Sequence, residues 1–277
     1  MVFMMLNNLP MIILSSPGGI AFHLGNWPVR WYGILISGAF FFSYLIVEKL
    51  IKDNDLNLDI FNDLILYVLI SSVICARLWF VFLSFDYFKF HIDEIPKIWL
   101  GGQSIHGGIF GAILAALLFC KIKKISFYKY MDPLAAVFPL GQAIGRWGNF
   151  FNNEAFGKPF FNGFIKLYIP EEFRPINFLN NEYFHPTFLY ESFLDFIIFV
   201  FLFKSYGKWK GHPGKIFWVY LLSYSIIRFF LEFSRSDSLH LFGSFASAQV
   251  ISAIVILLSL INLVRARHAA PNIGKAQ

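Results

Sequence analysis

Apolar runs recur along the chain at lengths close to the thickness of a lipid bilayer, separated by short polar stretches. A spanning helix needs about 20 mostly apolar residues. Seven runs fit this pattern: Trp31–Leu50, Phe61–Leu83, Ile105–Cys120, Pro133–Ile144, Phe188–Phe203, Gly214–Phe233 and Ala246–Val264. The third and fourth are short and are expected to extend into flanking residues. Residues 1–30 are apolar too, but Pro10, Pro17, Gly18 and Gly19 interrupt them. That segment reads as an interfacial arm rather than a span. It lacks the basic start of a cleaved signal. The pattern predicts an all-α protein, a polytopic membrane helical bundle with about seven transmembrane helices.

Composition agrees. The chain is 57% hydrophobic, 20% aromatic and only 14% charged, against about 25% charged residues in an ordinary soluble domain. No linker, charge run or repeat divides it, so residues 1–277 are read as a single integral membrane domain. The net charge of +6 sits largely in short loops between apolar runs. It favours anionic lipid headgroups over nucleic acid. Cys75 and Cys120 both lie inside apolar runs and are expected to pack rather than pair.

Loop charges also predict orientation. Lysine and arginine crowd the segments around Lys49 and Lys52, from Lys121 to Lys129, from Lys204 to Lys215, and from Arg265 to Lys275. The opposite loops hold fewer, spread over longer stretches. Positively charged loops stay in the cytoplasm. The N-terminus is therefore expected outside and the C-terminus inside, with residues 147–187 forming a small extracytoplasmic head.

With that topology, polar residues cluster in the outer halves of the helices while the inner halves read as apolar. Isolated polar groups at membrane depth are expensive and tend to be functional. The densest group is G-R-W-G-N-F-F-N-N-E-A-F-G, Gly145–Gly157, with Arg146, Asn149, Asn152, Asn153 and Glu154. Arg146 is placed just past the end of the fourth helix. Arg228 and Glu232 are four apart and share a helix face. An intrahelical ion pair there still leaves guanidinium donors for a ligand. Arg146 and Arg228 are the strongest candidates to hold an anion, since the planar guanidinium matches phosphate oxygens two at a time. Arg77 is either a third such group or a buried structural partner for a carboxylate. His106 opens the third helix beside Gly107, Gly108 and Gly111, which leave a bare flank for close helix packing or a lipid tail. It is a candidate general base or a structural histidine. Tyr32 is an interfacial anchor or a site residue. His185, beside a proline at a helix entrance, is expected to cap.

Among other chemistries, the scattered histidines offer no metal-binding spacing and no cofactor motif is present. The serines after Phe242 have no histidine placed to activate them. A transporter or channel with a polar outer vestibule remains the alternative class. It would need polar residues continuing through the inner half.

The residues Gly145–Gly157 resemble the signature of the bacterial prolipoprotein diacylglyceryl transferases, G-R-x-G-N-F-x-N-x-E-x-x-G. R-W-Y-G at Arg30–Gly33, H-G-G at His106–Gly108, H-P-T-x-L-Y-E at His185–Glu191 and R-F-x-x-E at Arg228–Glu232 follow in the family's order. Phe188 stands where the family more often has glutamine, and Ala248 where glycine is usual. The resemblance implies a multi-pass enzyme of the bacterial cytoplasmic (inner) membrane, active toward the outer leaflet. It implies transfer of a diacylglyceryl group from phosphatidylglycerol to the lipobox cysteine of a preprolipoprotein. The family's functional residues fall on Tyr32, His106, Arg146, Asn149, Glu154, Gly157, Tyr224, Arg228 and Glu232. In the expected chemistry, His106 assists thiol deprotonation and Arg146 and Arg228 clamp the phosphate. Asn149, Glu154 and Glu232 orient those arginines or bind glycerol hydroxyls, and Asn152 adds hydrogen bonds.

Overall fold

Backbone amides in lipid must find partners within their own segment, which for an apolar run means a helix. The computed structural model describes residues 11–160, 164–236, 240–242 and 245–269. Residues 1–10 of the expected arm, and Lys275 of the C-terminal basic group, lie outside the described residues. Among the described residues seven long helices form: α1 (Trp31–Lys52), α2 (Leu58–Leu83), α4 (Ile105–Ile122), α5 (Phe127–Phe151), α6 (Thr187–Trp209), α7 (Lys215–Leu231) and α8 (Ser247–Ala269). A single-turn helix, α3 (Phe85–Phe88), follows α2. Five of them, α1, α2, α4, α7 and α8, are long and apolar enough to cross a membrane. The other two, α5 and α6, are 25 and 23 residues long but carry the buried charges described below.

The fourth apolar run is the one most changed. It belongs to a helix that starts earlier and ends later, with Pro133 and Pro139 inside it. Arg146 therefore lies within α5, not beyond its end. Proline interrupts a helix less in a bundle, where neighbouring groups satisfy the freed carbonyls. The helix ends away from Arg146 are also less apolar than expected. Asp132, near the start of α5, is buried, and its carboxylate accepts from the amides of Gly214 (2.6 Å) and Phe217 (2.8 Å). It thereby caps the start of α7 from another helix, serving amides that have no intrahelical acceptor.

The chain forms two compact units. The smaller, Glu48–Met131, is built on α2 and α4. Glycine lets these helices meet: a Cβ on Gly111 would sit 2.6 Å from Cys75 Cβ and 2.6 Å from the Ser71 carbonyl oxygen. The bare flank beside His106 thus serves helix packing, and Cys75 packs as expected. Arg77 has partners of an unexpected kind. It donates to the carbonyls of Glu94, Ile95, Gly101 and Gly102 at 2.7–2.9 Å, tying down the loop between α3 and α4. Its role is structural, through carbonyls rather than a carboxylate.

The larger unit holds residues up to Val47 and from Asp132 onward. Besides helices it contains short strands that the all-α reading did not include. β1 (Ile12–Ser15) runs parallel to β4 (Ile165–Tyr168), which pairs antiparallel with β5 (Tyr183–Phe184). β2 (Ile20–Leu24) and β3 (Trp27–Arg30) form a hairpin, and β6 (His240–Phe242) and β7 (Phe245–Ala246) another. Part of the expected arm is therefore a strand of the head's own sheet. Phe156, Leu167, Ile169, Phe184 and Phe188 form the head's core. Phe188, at the family's usual glutamine position, packs on Trp147 (5.4 Å between ring centres) and Phe150 (4.9 Å), joining the head to α5 and α6.

Candidate active site

Three helices of the larger unit bring their charged residues to one place. Arg146 comes from α5, Glu191 from the first turns of α6, and Arg228 from the last turn of α7. Glu191 is 1% exposed. One of its oxygens lies 2.6 Å from Arg146 Nη2, and the other 3.9 Å from Arg228 Nη1. Where the helix gives way to a 3-10 turn, Glu232 pairs with Arg228 at 2.7 Å and lies 3.9 Å from Arg235 Nε. The Tyr224 hydroxyl is 3.4 Å from both Arg146 Nη2 and the Glu191 carboxylate.

The expected ion pair between Arg228 and Glu232 is present, and it leaves donors unused as anticipated. Arg228 Nη1 is buried with no hydrogen-bond partner among the described residues. Arg146, Arg228 and Arg235 here meet the carboxylates of Glu191 and Glu232. A buried cation without a full set of acceptors is costly, and an anion between Arg146 and Arg228 would supply them.

The polar stretch after Arg146 forms the rim. Asn149 accepts from Arg146 Nη1 (3.3 Å) and donates to Glu154 (2.9 Å), which also accepts from Asn152 (3.3 Å). Positive φ at Asn153 (54°) and Ala155 (56°) turns the chain out of the helix and folds Glu154 back onto both asparagines. Tyr32 lies over this segment: a Cβ on Gly148 would stand 2.6 Å from its ring. Gly157 sits at the base of the head, where its amide donates to the His185 carbonyl at 2.9 Å. A Cβ there would come within 2.5 Å of His185 Cβ and 2.8 Å of the Ser234 carbonyl. The backbone of His185 helps hold the head together, and its ring lies against Phe160 at 3.9 Å. Burial holds its pKa below the ordinary histidine value.

Tyr32, Arg146, Asn149, Asn152, Glu154, Tyr224, Arg228 and Glu232 are thus gathered in one unit. His106 belongs to the other, where it opens α4 as an exposed residue. Glu191, which joins the two arginines, was not among the expected site residues, and buried Asp195 follows it one turn along α6. The signal was available: both are acids four apart on one face of an apolar helix, and an acid at that depth needs a partner.

These features define a multi-pass helical membrane protein with a partly buried cluster of arginines and carboxylates. The family model for prolipoprotein diacylglyceryl transferase matches residues 19–265. Relatives named phosphatidylglycerol–prolipoprotein diacylglyceryl transferase include one from Nostoc sp., 43% identical over 261 residues and covering 92% of each chain. One from Acaryochloris marina is 42% identical over 252 residues, covering 91% of each. Another from Staphylococcus epidermidis is 41% identical over 257 residues, covering 92% of this chain and 91% of its own. The chain belongs to the prolipoprotein diacylglyceryl transferase family.

Proposed function

We propose that this protein transfers the diacylglyceryl group of phosphatidylglycerol to the lipobox cysteine of preprolipoproteins, the first step of bacterial lipoprotein maturation. The observation that carries the reading is the pair Arg146 and Arg228, joined through Glu191, with Arg228 Nη1 lacking a hydrogen bond among the described residues. The phosphate of the lipid sits between the two guanidinium groups. The cysteine sulfur attacks the glyceryl carbon that bears the phosphate. A sulfur–carbon bond forms as the carbon–oxygen bond breaks, and the electron pair leaves with glycerol phosphate. Arginines aimed at the departing charge lower the barrier, because their donors are already in place. His106 assists removal of the thiol proton, since a free thiol is only a few per cent ionised near neutral pH. Asn149, Glu154 and Glu232 orient the arginines, while Tyr32, Asn152, Gly157 and Tyr224 shape the substrate side.

All seven long helices span the bacterial cytoplasmic membrane in this reading, as parts of a single integral domain. The N-terminus and the head (147–187) face outward, the C-terminus faces the cytoplasm, and the site opens toward the outer leaflet. The support is the lysine and arginine bias of the loops. The head receives the peptide substrate. Incubating the purified protein with phosphatidylglycerol and a lipobox peptide, then weighing the peptide, tests the activity. A peptide of unchanged mass would refute it.

A further inference from the structure

One turn deeper on α6 than Glu191 lies Asp195, wholly buried. Neither carboxylate oxygen has a hydrogen-bond partner among the described residues. Residues four apart share a helix face, so Asp195 lies on the same side of α6 as the carboxylate that holds both arginines. It is within electrostatic reach of Arg146, Tyr220 and Tyr224. Those tyrosines are stacked at 6.1 Å, and the Tyr220 hydroxyl donates to Gln142 Oε1 at 3.0 Å. A polar column therefore runs from the arginines inward, through Tyr224 and Tyr220 to Gln142, with the unpartnered carboxyl beside it.

Taking the phosphatidylglycerol reading as given, we propose that Asp195 receives the hydroxyls of the lipid's glycerol head and so selects for that headgroup. A phosphate held between Arg146 and Arg228 carries two ester groups. One leads to the diacylglyceryl carbon under attack, and the other to a three-carbon head with two adjacent hydroxyls. A helical turn advances about 5.4 Å, a step that such a head can bridge from phosphate to Asp195. Hydroxyls both donate and accept, so two of them complete a buried carboxyl that is otherwise unmatched, whether or not it carries its proton.

The test compares phosphatidylglycerol with phosphatidylpropanol, which has the same charge and nearly the same size but lacks both hydroxyls. A site built to bond hydroxyls rejects the analogue without them, so wild-type enzyme should prefer phosphatidylglycerol in kcat/KM by roughly tenfold or more. Asp195→Ala should slow transfer from phosphatidylglycerol far more than from phosphatidylpropanol, bringing the ratio to within about threefold. Asp195→Asn, which keeps the side-chain volume and one acceptor, should give an intermediate ratio. An unchanged lipid preference in both variants overturns the proposal. So does loss of both activities in both variants, which would assign Asp195 to the integrity of the bundle. If wild-type enzyme transfers from neither lipid, it is the transferase reading that fails.

Discussion

Arg146 and Arg228, from different helices, share the single buried carboxylate of Glu191, at 2.6 and 3.9 Å. The shared acid does two things. It sets the spacing between the guanidinium groups, and it offsets the repulsion between them when no substrate is bound. Removing one partner from a buried ion pair costs about 3–5 kcal/mol, because the remaining charge is left uncompensated. Glu191→Ala should therefore lower the melting temperature in detergent and depress transfer. Glu191→Gln should recover more stability than activity. Thermal unfolding and peptide-lipidation rates, measured on the same samples, check this.

The arginines themselves should act on the chemical step. Removing one preorganised donor from a developing charge costs roughly 100- to 1000-fold in kcat. Arg146→Ala and Arg228→Ala should each fall in that range. Lysine at either position should rescue poorly, since a point charge cannot replace the two-pronged guanidinium. Membranes from either alanine variant retaining wild-type rates would remove the phosphate clamp from the mechanism.

His106→Gln probes the proton. If the imidazole assists thiol ionisation, the variant's defect is greatest near and below neutral pH. It shrinks as pH approaches the free thiol's own value of about 8.5, where ionisation no longer needs help. A pH–rate profile of the variant parallel to that of wild type would hand the role to another group.

Gly157→Ala tests the junction of head and bundle. The added methyl meets His185 Cβ and the Ser234 backbone within 3 Å, and neither is the free end of a flexible chain. Overpacking of this kind costs about 1–3 kcal/mol. The head should become sensitive to limited proteolysis before the helices do.

The same junction should respond to pH. Burial places the pKa of His185 below 6.5. The unfolded state then binds more protons than the folded state as pH falls through 6.5, and the head loses stability. Above 6.5 the group is neutral in both states and its contribution is constant. Amide exchange in residues 157–185 should speed up on acidification below that value, and His185→Phe should flatten the response.

The apolar runs, their order and the existence of each long helix could be read from the chain alone, because each is set by local hydrophobic content and by the need of backbone amides for partners in lipid. The ends of α5, which reach beyond the run Pro133–Ile144 on both sides, could not. The candidate residues were equally visible, since a charge inside an apolar run stands out wherever it occurs. The strands of the head were not visible. β1 pairs with β4 across about 150 residues of intervening chain, and short strands of that kind are specified by their partners rather than by their own pattern.

Tertiary structure alone decided which polar residues meet. Arg77 and Arg146 are both charges within long apolar helices, yet one is consumed by loop carbonyls and the other faces a carboxylate from a second helix. Glu191 became the centre of the site only when α5, α6 and α7 packed together. Hydrophobicity acts residue by residue and so survives in a linear sequence. The pairing of charges depends on distances between separate helices, which exist only once the bundle is assembled.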